Sequence, residues 1–270
     1  MAHTVNGTRA REREGGGAGV FVLSSPAELA RAVAGRLWGI VRERGAGPVH
    51  VLLSGGETPR KAYETLAAEP YRGRFPWGSV HFWQADERFV PAADPRSNRR
   101  MIGEALLSRA PAPLENFHGI DTSLPGPAEA ARAYDAELRR AFPEPPGGVP
   151  RFDAVVLGVG EDGHTASLFP GSDALAEETA LALPVVGGVP PVPRVTVTLP
   201  LLNAALRVVF VVQGEGKANA LRDVVAAFRD PSLRSPGIPA TLVTPRRGMV
   251  VFLADSDAAS RLPAEWRSPG

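Results

Sequence analysis

The chain has 270 residues and is almost electrically neutral, with 30 basic and 29 acidic residues and a formal net charge of +1. No basic run is longer than Arg246-Arg247, so the chain has no electrostatic footprint for nucleic acid, and a nucleic-acid partner is not expected. The absence of cysteine excludes disulfides, thiolate zinc sites and thiol nucleophiles. A hydrophobic content of 44% is sufficient for a buried core.

Changes in composition divide the chain into three segments. Residues 1–18 are polar, charged and rich in glycine, and we expect them to be disordered. We expect a single α/β domain over residues 19–262, followed by a C-terminal tail over residues 263–270. No stretch approaches the ~20 apolar residues of a membrane span, and the first residues lack the apolar core of a signal peptide. We therefore expect a cytoplasmic protein without a membrane partner.

Apolar runs alternate with helix-forming segments throughout the expected domain. The runs predict strands at residues 20–23, 49–53, 79–84, 152–157, 194–199, 208–212 and 249–253. Helices are predicted between most of these strands, while the Pro/Gly-rich segments 143–150 and 184–193 predict loops. Strands that alternate with helices indicate a mainly parallel sheet with helices on both faces, a doubly wound, Rossmann-like α/β fold.

A glycine-rich loop follows the predicted strand 152–157 and carries an acid and a histidine, Asp162 and His164. The segment 158–163 formally matches a dinucleotide fingerprint. A dinucleotide-binding site also needs a full helix after the third glycine and an acid further along the chain. Here Pro170-Gly171 comes too soon after Gly163 to leave room for such a helix. A carboxylate beside an imidazole can fix its tautomer and support its protonated form, so we interpret this pair as a general base with its supporting acid. The other histidines are interpreted as structural: His3, His50, His81 and His118.

A second glycine loop, residues 54–58, lies between the predicted strand 49–53 and the following helix. Backbone N–H groups and the hydroxyls of Ser54 and Thr58 would converge there at a helix N-terminus, a geometry that favours a phosphate. The alternative is a tight strand-to-helix turn in which Thr58 is the N-cap and Pro59 is the first helical residue. The loop lacks the spacing of a Walker motif.

Further charged residues lie at other predicted strand ends. Asp86-Glu87-Arg88 follows the third strand, Arg194 begins a later one, and Lys217 precedes a helix. Each could be a solvated surface charge. Cations that meet a backbone nest at one edge of the sheet would instead hold a phosphate dianion well.

Together these segments resemble the 6-phosphogluconolactonase family. The resemblance extends over about residues 20–253, and its most specific part is the histidine block; it rests on residues 53–59, 86–91, 97–98, 158–171, 194–196 and 214–217. It implies hydrolysis of 6-phosphoglucono-1,5-lactone to 6-phosphogluconate, the second step of the oxidative pentose phosphate pathway. It also implies a NagB-like architecture, shared with glucosamine-6-phosphate deaminase/isomerase.

The resemblance further implies a role for each matching residue. His164 would be the base that activates water, supported by Asp162, while Asp86 and Arg88 would line the sugar and the reacting end. The phosphate would be held by Ser54, Gly55, Gly56, Thr58, Arg194 and Lys217. The family is metal-free, so we expect neither a metal nor a cofactor. The sequence does not decide whether Arg88 or a loop N–H donates to the oxyanion. It also leaves the oligomeric state open, with a monomer as one of the alternatives.

Two alternatives to the lactonase remain. An amino-sugar-phosphate deaminase or isomerase would need a further carboxylate soon after the histidine, and residues 165–171 contain no acid, which favours the lactonase. A non-catalytic sugar-phosphate sensor would keep the phosphate-binding residues but would not need His164.

Overall fold

The structure is a computed structural model that describes residues 19–45, 47–142 and 148–269. The predictions for residues 1–18 and for most of the loop 143–150 lie outside this part of the chain. The strands are β1 Gly19–Leu23, β2 Val49–Leu53, β3 Val80–Gln84, β4 Asp86–Arg88, β5 Phe117–His118, β6 Ala154–Leu157, β7 Ala182–Gly187, β8 Val192–Val197, β9 Arg207–Val212, β10 Met249–Asp255 and β11 Ser268–Pro269. The helices are α1 Pro26–Arg44, α2 Glu57–Leu66, α3 Asn98–Ile102, α4 Pro127–Ala141, α5 Leu199–Ala204 and α6 Ala218–Arg229.

The central sheet has eight strands in the order β11-β1-β10-β9-β6-β2-β3-β5. Every neighbouring pair in it is parallel, so the carboxyl ends of its strands lie at one edge. After β2 the chain builds the sheet outward through β3 and β5; from β6 it builds in the opposite direction through β9 and β10. The strand order therefore reverses between β2 and β6, and ligands of open α/β sheets bind at such a point.

Helices cover both faces of this sheet, as the alternation of buried side chains requires. On one face, Val51 and Val156 pack in a cluster with residues of α1 and α2, such as Leu37 and Tyr63. On the other face, Leu52 and Val155 belong to a second cluster that includes residues of α4, α5 and α6. The predicted doubly wound α/β fold with a mainly parallel sheet is therefore confirmed.

A second, three-stranded sheet in the order β4-β8-β7 is antiparallel and lies outside the predicted pattern. The prediction of a loop over 184–193 is wrong for most of that segment, because β7 and β8 pair as a hairpin from Ala182↔Val197 to Gly187↔Val192. Pro184 is tolerated because β7 is an edge strand, where a missing N–H costs no ladder bond.

The C-terminal residues join the main sheet. β11 pairs in parallel with β1, with Phe21 opposite Ser268. Ordered structure thus continues beyond the boundary that we drew at residue 262. No helix in the described part of the chain is long and apolar enough to cross a membrane.

Candidate active site

A cleft of about 350 Å³ opens at the carboxyl edge of the sheet, where the strand order reverses. The loops after β2, β6 and β9 line it, together with residues of β4, β8 and α3. Nine of the ten predicted site residues line this cleft: Ser54, Gly55, Gly56, Thr58, Asp86, Arg88, His164, Arg194 and Lys217. The tenth, Asp162, contacts the cleft through His164. The parallel strands thus bring together residues as far apart in the chain as Ser54 and Lys217.

The acid and the histidine of the loop after β6 form a direct pair. Asp162 Oδ1 lies 2.5 Å from His164 Nδ1 and also accepts the His164 backbone N–H at 3.1 Å. The loop is closed by a bond from Gly160 N–H to the His164 carbonyl at 2.8 Å. A Cβ on Gly160 would lie 2.0 Å from His164 Nδ1, so only glycine leaves room for this pair.

This pairing determines what His164 can do chemically. When Nδ1 donates to the carboxylate, the neutral ring carries its free lone pair on Nε2, which can accept a proton. Burial would raise the pKa of Asp162, but hydrogen bonds from His164 outweigh it and hold the pKa of this carboxyl below its usual value. Asp162 is therefore ionised at neutral pH and stabilises positive charge on the ring.

Asp86 on β4 is almost fully buried and is held by donors from three directions. Ser167 Oγ donates to its Oδ2 at 2.6 Å, and Asn98 Nδ2 donates to its Oδ1 at 3.1 Å. Arg194 lies across the small sheet with its Nη1 3.8 Å from the same Oδ2. These contacts fix the carboxylate in one orientation at the cleft wall.

Glu87, the next residue on β4, organises the N-terminus of α3, where Asn98 lies. Its buried carboxylate accepts five hydrogen bonds, from Gln84 Nε2, Arg88 N, Ser97 Oγ, Asn98 N and Arg99 N. Burial raises the pKa of Glu87 against the opposing effect of these bonds. Sequence reasoning assigned no role to Glu87, Asn98 or Ser167. All three lie inside the segments that carried the family resemblance, which is the signal that pointed to them.

The two predicted arginines face each other across the small sheet, because Arg88 on β4 is the register partner of Arg194 on β8. Arg88 Nη1 donates to the Arg96 carbonyl at 2.7 Å, and Arg194 Nε donates to the Gly187 carbonyl at 3.2 Å. Burial lowers the pKa of Arg194 while Asp86 opposes the shift, and a guanidinium stays charged under such conditions. Both cations line the cleft and make it attractive to an anion.

The loop after β2 is arranged differently from the prediction. The Ser54 hydroxyl donates to the Val156 carbonyl at 2.8 Å, so its hydrogen is already used within the protein. The helix α2 begins at Glu57 with Gly56 as its N-cap, so the alternative with Thr58 as the cap is wrong. The N–H groups of Glu57 and Thr58 in the first turn have no acceptor within the helix and are available to an anion.

Lys217 enters the cleft from the loop after β9. Its Nζ lies 3.7 Å from Oε1 of Glu161, whose side chain is 71% exposed. An ion pair that is so open to solvent is weak, so the ammonium can exchange this partner for a ligand anion. Among the described residues, no group of three or more histidine and acidic side chains is arranged to hold a metal ion.

Comparisons with known proteins show what this chain is similar to. The family model described as glucosamine-6-phosphate isomerases/6-phosphogluconolactonase matches residues 24–252. A 6-phosphogluconolactonase from Synechocystis sp. is 39% identical over 227 residues, which cover 84% of this chain and 89% of that protein.

Solved structures show the same likeness. The crystal structure of 6-phosphogluconolactonase from Thermotoga maritima is similar with a TM-score of 0.73 and 33% identity, covering 88% of this chain and 99% of that one. A monomeric glucosamine-6-phosphate deaminase of the NagB superfamily has a TM-score of 0.76 at 18% identity, covering 90% of this chain and 99% of that one. At that identity the second likeness concerns the fold alone, and it confirms the predicted NagB-like architecture.

Proposed function

We propose that this chain, which belongs to the family of glucosamine-6-phosphate isomerases and 6-phosphogluconolactonases, hydrolyses 6-phosphoglucono-1,5-lactone to 6-phosphogluconate with His164 as the base. The observation that carries the mechanism is the pairing of Asp162 with His164 Nδ1 at 2.5 Å, in a cleft lined by three cations. This arrangement supplies a base and an anion-binding wall in one place. Its substrate should therefore carry both a hydrolysable carbonyl and an anionic group.

The reaction follows from the free nitrogen of that base. His164 Nε2 takes a proton from a water molecule while the water oxygen bonds to the lactone carbonyl carbon, and Asp162 stabilises the imidazolium that forms. The bond between that carbon and the ring oxygen then breaks, and His164 returns the proton to the departing oxygen. The product is an open-chain hydroxy acid, which ionises at neutral pH.

The contacts of the two arginines favour a change from the roles that we predicted for them. Arg88 lines a smaller neighbouring cavity together with Gly56 and Glu57, at the N-terminus of α2. Arg194 instead contacts Asp86 and Ser167, on the side of the His164 loop. We therefore assign Arg88 to the phosphate, with Lys217 and the first turn of α2, and Arg194 to the reacting end.

At the reacting end, Arg194 is then the best donor for the oxyanion of the tetrahedral intermediate. A fixed guanidinium in a partly buried site stabilises developing negative charge without having to reorganise. The buried Asp86 keeps Arg194 in place and can accept a hydrogen bond from a sugar hydroxyl. The phosphate at the other end of the substrate supplies binding energy that orients the lactone.

The proposed substrate is a charged sugar phosphate, which cells retain inside their membranes. For that reason we keep the prediction of a cytoplasmic enzyme as part of the proposal.

The test measures the rate at which 6-phosphoglucono-1,5-lactone disappears and subtracts the rate of its spontaneous hydrolysis. We expect His164→Ala to lose most of the turnover, about 10²-fold or more, because a positioned general base contributes that much. The same variant should still bind 6-phosphogluconate, which separates loss of the base from loss of the fold. Near-normal hydrolysis by this variant would contradict the role of His164.

A parallel assay with glucosamine 6-phosphate addresses the deaminase alternative. Release of ammonia from this substrate would replace the lactonase by a deaminase. Binding of sugar phosphates without turnover of either substrate would instead indicate a sensor.

A further inference from the structure

The hairpin of β7 and β8 reaches the candidate active site, although the sequence predicted only a loop for the segment 184–193. β8 pairs with β4, the strand that carries Asp86 and Arg88. At the turn end of the hairpin, the carbonyl of Gly187 accepts a hydrogen bond from Arg194 Nε at 3.2 Å. The turn is therefore attached to a cation of the cleft wall.

Phe169 connects this turn to the imidazole. Its ring centroid lies 4.8 Å from that of His164, with an angle of 40° between the two planes. The guanidinium carbon of Arg194 lies 5.3 Å from the centroid of the same phenyl ring. One largely buried aromatic side chain thus contacts both the proposed base and the proposed oxyanion donor.

Gly187 packs against Phe169 in a way that only glycine allows. A Cβ at this position would lie 2.3 Å from Cδ2 and Cε2 of the phenyl ring, much closer than a van der Waals contact. The backbone of the hairpin turn therefore supports the phenyl ring from one side, and His164 and Arg194 contact it as well. A side chain at position 187 would force the ring to move, and both of its polar neighbours would have to adjust.

We infer that Phe169, held in place by Gly187, is a positioning residue that sets the plane of the His164 imidazole and the place of the Arg194 guanidinium. This inference rests on the proposed function, since it takes His164 as the base. The bond from Nδ1 to Asp162 fixes one point of the imidazole but allows the ring to pivot about it. Contact with Phe169 limits this pivot and so keeps Nε2 aimed at the attacking water.

The experiment compares Phe169→Leu and Gly187→Ala with the wild-type protein. Val186→Ala is the matched control, because Val186 is the neighbouring hairpin residue and its side chain points into solvent. We expect both test variants to lower kcat for the phosphorylated lactone about tenfold or more, since small misplacements of reacting groups carry costs of this size. KM and the affinity for 6-phosphogluconate should stay within about twofold, because the phosphate-binding residues are untouched. The control should behave like the wild type.

A spectroscopic readout makes the inference independent of the activity. The chain has five histidines, and the His164 Cε1–H signal can be assigned by its loss in His164→Gln. We expect Phe169→Leu to move this signal because the ring current of the phenyl group is removed. Gly187→Ala should move it as well and should remain informative if Phe169→Leu does not fold.

The two possible failures can be told apart. Unchanged kcat and an unchanged His164 signal in a folded Phe169→Leu or Gly187→Ala protein would overturn the positioning role while leaving the lactonase intact. Absence of lactone hydrolysis by the wild type would overturn the proposed function, whereas the shift of the His164 signal would still report on the contact.

Discussion

Ser167 and Asp86 are 81 positions apart in the chain, and the Ser167 hydroxyl donates to the Asp86 carboxylate at 2.6 Å. Ser167 is completely buried, and its backbone N–H is bonded to Thr196 Oγ1 at 3.1 Å on β8. Through its hydroxyl and its backbone N–H, Ser167 therefore ties the histidine loop to both strands of the second sheet that line the cleft.

Removal of this hydroxyl should destabilise the protein. In Ser167→Ala, the buried carboxylate of Asp86 loses its shortest hydrogen bond, and a buried group left partly unsatisfied costs about 1–3 kcal/mol. Urea unfolding of the two proteins measures this difference. Ser108→Ala is the control, since the Ser108 hydroxyl is exposed and bonds only within its own helical turn. Its effect should stay within about 0.5 kcal/mol, and equal effects of the two substitutions would contradict the role of Ser167.

The charge of Asp162 should matter for turnover beyond its geometry. Asp162→Asn keeps an oxygen that can accept from His164 Nδ1, but it removes the negative charge that stabilises the imidazolium. We expect kcat to fall about 10²-fold or more, within the range that general-base catalysis contributes. Steady-state kinetics with the phosphorylated lactone measure this fall in kcat. Asp173→Asn serves as the control, because Asp173 is exposed and lies in the same segment between β6 and β7. If the asparagine variant keeps full turnover, the pair has a structural function only.

The parts of the site that the sequence revealed are those that follow directly from local patterns. Apolar runs mark parallel strands, and polar residues just after Leu53 and Leu157 must then meet at one edge of the sheet. The same reasoning could not show that the Ser54 hydroxyl donates to Val156, because a sequence does not tell which donors the fold itself uses.

The antiparallel sheet was the main feature that the sequence pattern hid. Pro184 and Pro193 favoured a loop, since proline cannot donate to a ladder, and the edge position of β7 is a property of the tertiary structure. The contacts of Phe169 with Arg194 and Gly187 depend on that hairpin, so they were equally invisible.

A cluster of three histidines on β2, β3 and β5 contains His50, which should make stability depend on pH. His81 Nδ1 lies 3.0 Å from His118 Nε2, His118 Nδ1 lies 2.7 Å from Glu137, and the His50 and His81 rings stack at 5.1 Å. Burial, followed by the neighbouring charges of His81, His118 and Arg44, lowers the pKa of His50 to about 4. Protonation of His50 is therefore disfavoured in the folded state.

The direction of the effect follows from proton binding in the two states. An unfolded histidine titrates near pH 6.5, so between about pH 6.5 and 4 the unfolded chain binds a proton that the folded His50 does not. The stabilisation is present above this window and is lost as the pH falls through it. We expect the difference in Tm between pH 7 and pH 5 to be smaller for His50→Gln than for the wild type. If thermal unfolding gives the same difference in Tm for His50→Gln and the wild type, His50 is not the origin of the pH dependence.

The last prediction concerns the phosphate and uses a feature of the composition, because Lys217 and Lys61 are the only lysines in the chain. Lys217 lines the cleft and has only the exposed Glu161 as its ion-pair partner among the described residues, whereas Lys61 lies on α2 and does not line the cleft. We expect Lys217→Ala to raise KM for 6-phosphoglucono-1,5-lactone about tenfold or more, since a charged hydrogen bond contributes about 1.5–3 kcal/mol.

The unphosphorylated glucono-1,5-lactone separates phosphate binding from other effects of the same substitution. Its KM should change little in Lys217→Ala, because the ammonium has no anion to bind at that end of the substrate. Lys61→Ala should leave the KM of both lactones unchanged, which controls for the loss of a positive charge as such. An equal rise of KM for both lactones would place Lys217 away from the phosphate and would leave Arg88 and the first turn of α2 as its binding site.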